Sequence, residues 1–433
     1  MTTAVSASSP SATTAPELIG GAHRHVADDD LTSFIERHLA ASPVDGSDVV
    51  LVIPDATRSM PLPLVMRVVH RSLIDRVASL TAVIALGTHA YMEQSAIEAM
   101  FGVEPGGLAE AYPGLTVVNH EWADPSMIVS VGRLSANQID QLSQGRMREE
   151  VEVEINRRVA EAGHVIVIGP VFPHEVVGIS GGNKYFVPGV ATHEIIDLTH
   201  WVGALIGIDG TIGRRGTTAV RAIIDAAAAL IPAPRSALCL VVESGSGAVE
   251  AAAFGTPEEA WALASEVAAD SHIVYLDAPV NRMLAIMPRR YDDIWTAAKG
   301  CYKAQPVMAE GGEVVIYAPH ITELSQTHPE IEKIGYHCME FFLKQWDVYG
   351  DAPKSVLAHS THVRGAGTYD PATGVERDRI RVTLATGIPR EVCERANVGY
   401  LDPATIDVDA WRADPEIMVV DNAGEVLFRL AGE

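Results

Sequence analysis

The feature that most constrains this chain is an alternation of short, continuously apolar runs with stretches of helical period. "DVVLVIPD" (48–55) reads as a buried strand ending in a turn, and "LPLVMRVVHRSLIDRV" follows as a helix. "LTAVIALGTHA" (80–90), "HVIVIGPVFPHE" (164–175), "ALCLVVES", "HIVYLDAPV" and "GGEVVIYAPHI" (311–321) repeat the strand signal, while "TAVRAIIDAAAALI" and "TPEEAWALASEVAADS" repeat the helical one. Strands that are apolar throughout are covered on both faces. Their alternation with helices therefore specifies an α/β fold of mostly parallel sheets flanked by helices.

At 433 residues the chain exceeds one typical core, so two domains are expected. A Ser/Thr/Ala/Pro-rich lead over 1–20 reads as disordered. An N-terminal cofactor-binding α/β domain is expected over 21–270 and a C-terminal α/β domain over 271–433. The active site would lie in the cleft between them, and the tail after residue 400 is free to pack back on the first domain.

Charge narrows the function. Lys and Arg number 32 against 56 Asp and Glu, a formal net charge of -24. So acidic a surface argues against nucleic acid and anionic membranes as partners. An anionic substrate would need a local cluster of Arg and Lys inside a pocket. No apolar run reaches the roughly 18 residues that span a bilayer, and the N-terminus lacks the basic and apolar regions of a signal peptide. Cys239, Cys301, Cys338 and Cys393 are too widely spaced for a zinc knuckle or a CxxC pair. They read as buried thiols in a reducing, cytoplasmic location.

Polar chemistry gathers at the carboxyl ends of the strands, where parallel sheets bind ligands: Asp55 and Arg58, then His89, His174 and His320. In "PDATRSMPLP", Asp55, Thr57 and Arg58 form either a carboxylate- or phosphate-gripping turn or an Asp-capped helix start with a solvated Arg. His89 in "ALGTHAYM" is suited to proton transfer or is simply solvated.

The densest stretch is "HEVVGISGGNKYFVPGVATHEIIDLTH" (174–200). Its Gly181–Gly182 turn offers successive backbone N–H groups as an anion nest. It lacks the spacing of a P-loop, and no GxGxxG occurs at a strand–helix turn. Lys184 follows the glycines, and Thr192 is the expected cap of a helix bearing His193 and His200 on one face. That spacing is not the i, i+4 of HExxH, so a metal-dependent hydrolase on His174, His193 and His200 is a weaker alternative. "DDIWTAAKG" sets Trp295 one helical turn from Lys299, as a substrate contact or as a buried Trp with a snorkelling Lys. "HSTHVRGAGTYD" collects His359, His362, Arg364 and Tyr369 in an expected loop.

Together, "DATR" at Asp55, "GTH" at His89, "HEVVGISGGNK" and His200, sixteen residues after Lys184, resemble the nickel-pincer lactate racemase family. "VNHEWADP" and "WTAAKG" extend the likeness over most of the chain. The resemblance implies an isomerase, a racemase or epimerase of a small-molecule 2-hydroxy acid. It would use nickel held by a pyridinium-3,5-bisthiocarboxylic acid mononucleotide. By this resemblance Lys184 carries the nucleotide, His200 ligates nickel, and His89 and His174 are the acid and base. Arg58 and Lys299 hold the substrate carboxylate, with Trp295 and Thr296 beside it. Asp55, Thr57, Gly181 and Gly182 position the cofactor. Cofactor-synthesis enzymes are implied as transient partners, and a homodimer is admissible.

Three positions depart from the family pattern: Ala90 replaces an Arg, Thr296 a Gln, and Asn183 the usual Arg of Gly-Gly-x-Lys. The first two put lactate itself in question and leave a larger 2-hydroxy acid or a sugar acid as an equal expectation. They also motivate a non-enzyme alternative, a catalytically silent ligand-binding homologue.

Overall fold

The computed structural model describes residues 15–87, 90–243, 246–424 and 426–432. The first half contributes β1 (Glu17–Gly20), β2 (Asp48–Pro54), β3 (Ser79–Ala85), β4 (Leu115–Asn119), β5 (Ile128–Leu134), β6 (Val151–Asn156), β7 (His164–Pro170), β8 (Pro173–His174), β9 (Gly178–Ile179), β10 (Arg235–Val242) and β11 (Val249–Gly255). Seven of these form one sheet in the order β1-β11-β10-β7-β2-β3-β4. Every pairing from β10 to β4 is parallel, and β11 and β1 add an antiparallel edge. β5 with β6 and β8 with β9 are small separate antiparallel pairs.

The period of two along β2 shows why the strand is apolar throughout. Val50 and Val52 enter one core, while Val49, Leu51 and Ile53 enter another on the opposite face.

The second half supplies β12 (Ile273–Leu276), β13 (Val280–Ile286), β14 (Met308–Ala318), β15 (Gly367–Asp370), β16 (Val375–Asp378), β17 (Arg381–Thr386), β18 (Gly399–Tyr400), β19 (Ile417–Val420) and β20 (Leu427–Leu430). A wholly parallel sheet runs β18-β17-β14-β13-β19. The expected α/β class with mostly parallel, helix-flanked sheets is what the chain adopts. One apolar core reaches from Val50 and Val165 through to Met283 and Ile316, so the two sheets share buried surface. The C-terminal strand β20 returns to pair with β12, and Arg429 Nη1 donates to the Ile212 carbonyl at 2.9 Å.

Several local expectations change. The first sheet begins at Glu17, inside the lead expected to be disordered, because "ELIG" completes the edge beside β11. His359, His362 and Arg364 lie on a helix, Lys354–Arg364, and not in a loop; only Tyr369 is off it, on β15. That helix packs on His193–Ile206, so His359, Ser360, Thr361 and His362 are buried and no solvent-facing polar stripe marks it. Trp295 and Lys299 fall in two short turns, Ile294–Ala297 and Lys299–Tyr302. Thr192 precedes the helix at His193 without capping it; its hydroxyl donates to Glu154 at 3.1 Å.

One interaction fixes the turn at 179–182. Arg221, on the helix Ala219–Ala228, is fully buried. It donates to the carbonyls of Gly181 at 3.0 Å and Ile179 at 2.6 Å. Its guanidinium lies 4.2 Å over the Trp261 ring, and Trp261 donates to the Ser180 carbonyl at 2.9 Å. Gly182 has φ +55°, and a Cβ there would sit 2.8 Å from both the Pro257 oxygen and Trp261 Cβ. Only glycine fits. Replacing Arg221 by Leu strands two buried carbonyls, so it should lower unfolding free energy by about 3 kcal/mol. The urea midpoint measures this; an unchanged midpoint would show that the turn holds itself.

Candidate active site

From the anchored turn the chain enters the 3-10 segment Gly182–Tyr185, which presents Lys184. Its neighbour Tyr185 covers Gly169 at the end of β7, where a Cβ would lie 2.2 Å from the phenol oxygen. The Gly87 N–H, just past β3, donates to the Gly189 carbonyl at 2.8 Å. Two strand ends therefore close on the lysine loop. Lys184 keeps some accessible surface, yet lost hydration, reinforced by the nearby Arg58 charge, pushes its pKa down to about 7. Its amine is thus substantially neutral, and nucleophilic, near physiological pH.

Two histidines share this environment. His174, on β8, is buried, and loss of hydration holds it well below the usual histidine range. The Val176 N–H donates to its Nδ1 at 3.1 Å, which leaves the ring proton on Nε2. His200, on the helix His193–Ile206, is also lowered by burial. Its Nδ1 lies 2.7 Å from the Ile196 carbonyl, so Nδ1 carries the proton and Nε2 keeps its lone pair. That is the tautomer a metal-binding imidazole requires.

Cations converge from both domains. Burial lowers Lys299 and pushes Lys303 down to about 7. Arg58, 5.4 Å over the Phe172 ring, lowers both lysines further. Burial alone would raise Glu175, but His174, Lys299 and Lys184 outweigh it and keep the carboxylate ionised. This is the local cationic cluster that so acidic a chain needs to hold an anion.

The remaining sequence-derived residues fall as follows. Asp55 is buried at the end of β2 and accepts from the Thr57 N–H at 3.1 Å and the Thr57 hydroxyl at 2.5 Å. A cavity of ≈ 230 Å³ opens beside Asp55 and Arg58, lined also by Met60 and Met100. His89 lies outside the described residues. Asn183 turns its amide away from the lysine, to Asp225 at 3.0 Å and Glu258 at 2.7 Å. Thr296 donates its hydroxyl to Asp293 at 2.9 Å, as part of a helix cap.

Trp295 stacks on His328 and His359, with ring centroids 4.1 and 3.9 Å away. His193 is exposed and packs edge-on against Trp122. Among the described residues no three His, Cys, Asp or Glu side chains are gathered to hold a metal, so the three-histidine hydrolase site is not assembled. Sequence reasoning passed over Glu175, Lys303 and Arg221. The available signals were adjacency to His174 and the four-residue spacing from Lys299; nothing local marked Arg221.

The depressed Lys184 has a measurable consequence in protein purified without cofactor-synthesis enzymes. The folded state binds fewer protons than the unfolded state between about 7 and 10.5, so folding is penalised most below pH 7. Relative to Lys184→Met, wild-type melting temperature should therefore rise as pH increases from 7 toward 10.5. A difference independent of pH would refute the shift.

Residues 28–207 match the family model described as the lactate racemase N-terminal domain. A crystal structure of a protein from Thermotoga maritima, from a structural genomics consortium, is similar at 31% identity and TM-score 0.84, covering 95% of this chain and 100% of that one. The lactate racemase apoprotein from Thermoanaerobacterium thermosaccharolyticum shares the fold at TM-score 0.71 and 17% identity, over 94% of each chain. No curated protein matches. Among the described residues no helix is long and apolar enough to cross a membrane. The chain belongs to the lactate racemase-like family.

Proposed function

We propose that the protein is a racemase or epimerase of a 2-hydroxy acid, dependent on nickel and a pyridinium-3,5-bisthiocarboxylic acid mononucleotide. The observation that carries this reading is an amine of lowered pKa on a Gly-Gly turn, flanked by a buried and a half-buried histidine, both of lowered pKa, and a cationic cluster. These residues fit the group. Lys184 has the nucleophilic amine for covalent attachment, His200 offers Nε2 as a nitrogen ligand suited to Ni(II), and Asp55, Thr57, Gly181 and Gly182 would hold the nucleotide. When bound, the group supplies a reversible hydride acceptor for the substrate's C2.

The protein's own residues do the rest. Arg58 and Lys299 bind the substrate carboxylate, with Trp295 and Thr296 alongside. His174 rests with its proton on Nε2; to take the hydroxyl proton it must present Nε2 as a lone pair, with its own proton moved to Nδ1, on the side of Glu175 Oε2 3.7 Å away. The imidazolium so formed is the acid that returns a proton to the oxygen in the reverse direction. His89 is assigned the same task for the opposite enantiomer. Two histidines are required because the enantiomers present their hydroxyls on opposite sides. Loading by cofactor-synthesis enzymes precedes activity, and four buried free cysteines suit a cytoplasmic setting.

Protein co-expressed with the cofactor-synthesis enzymes should show a covalent mass adduct, lost in Lys184→Ala, with about one nickel per chain. Zinc without an adduct would sink the proposal. Glu175→Gln should move the His174 limb of the turnover profile to lower pH, because Glu175 raises the His174 pKa against burial. An unmoved limb would remove Glu175 from the mechanism.

A further inference from the structure

A second set of buried polar atoms adjoins these residues. His359 and His362 are three apart on the helix Lys354–Arg364, hence on one face, and both are buried. His359 stacks on Trp295, and Tyr302 Oη lies 2.7 Å from its Nδ1. With the phenol donating, the imidazole proton sits on His359 Nε2. The His362 ring meets the Gly203 backbone carbonyl, which places its proton on Nδ1 and leaves a lone pair at Nε2. Among the described residues neither Nε2 has a hydrogen-bond partner. The helix that carries them packs on His193–Ile206, the helix that carries His200, and the charge of Glu175 is felt by both rings. The pair therefore borders the same site.

We infer that His359 and His362 form a subsite for hydroxyl groups on the substrate beyond C2, which makes the substrate an aldonate-type polyhydroxy acid and not lactate. A hydroxyl is at once donor and acceptor, so it complements an unpartnered ring N–H and an unpartnered ring lone pair carried on one helix face. A methyl group would leave both buried atoms unmatched, and a site built for hydroxyls rejects the analogue that lacks them. Burial keeps both rings neutral at physiological pH, which suits neutral hydroxyls better than a second carboxylate. The inference rests on the function proposed above and adds its substrate class.

The test compares the nickel-loaded enzyme on 2,3,4-trihydroxybutanoate, in both C3 epimers, with 2-hydroxybutanoate of the same chain length. Wild-type kcat/KM should favour one trihydroxy epimer by about 100-fold or more. His359→Phe keeps the stack on Trp295 without the donor, and His362→Leu removes the acceptor. Each should lower kcat/KM for the trihydroxy acid by about 10- to 100-fold and alter that for 2-hydroxybutanoate by less than about threefold. Retained activity on the simple acid also reports an intact fold. A wild-type preference for 2-hydroxybutanoate overturns the subsite whatever the variants do, and so do equal losses on both acids in variants that melt like wild type. Adduct-bearing protein that isomerises neither acid overturns the subsite together with the proposed activity. Absence of the adduct overturns the proposed function alone at its first step.

Discussion

The site depends on a guanidinium with no exposed surface. Arg221 takes the Ile179 and Gly181 carbonyls and stacks on Trp261, which takes the Ser180 carbonyl between them. A glycine turn has the most backbone freedom to lose on folding, and three carbonyls bound from two helices remove that freedom. The result is a rigid platform from which Lys184 projects. A buried charge is costly unless it is hydrogen-bonded, and Nη1 and Nη2 both donate to the turn, so Arg221 and the turn stabilise each other.

Electrostatics then sets what the platform can do. Lys184, Lys299 and Lys303 are enclosed, and each is disfavoured as a cation by lost hydration. Glu175 offsets part of this, but Arg58 adds to it. Such an arrangement is better satisfied by an anion, and the general acidity of the chain confines that preference to this one region. The two histidines sit in the same poorly hydrated space with different resting tautomers, because a backbone N–H faces one Nδ1 and a backbone carbonyl the other. Similar residues thereby acquire different chemistry. His200 shows a lone pair and His174 an N–H.

Much of this was legible in the residues. The apolar runs at 48–54, 164–170 and 235–242 became parallel strands buried on both faces, because no other element tolerates that pattern at that length. The glycine pair before Lys184 marked a turn of special backbone geometry, and the spacing to His200 carried the family likeness. The helix at 354–364 was illegible for a physical reason. Its buried His359, Ser360, Thr361 and His362 interrupt the apolar positions Val356, Leu357, Ala358 and Val363, so its burial leaves no clean apolar stripe to read.

What the sequence determined alone was local: strand and helix periods, the Gly-Gly turn, and which side chains could do chemistry. Only tertiary structure decided their state. Lys184 becomes a weakened base through enclosure beside Arg58, and Arg221 becomes an anchor because two carbonyls 40 and 42 residues away meet it. The His359–His362 pair becomes polar lining because the second domain docks there. Hydration and long-range hydrogen bonding depend on what surrounds a group in space, and neighbours along the chain do not encode that.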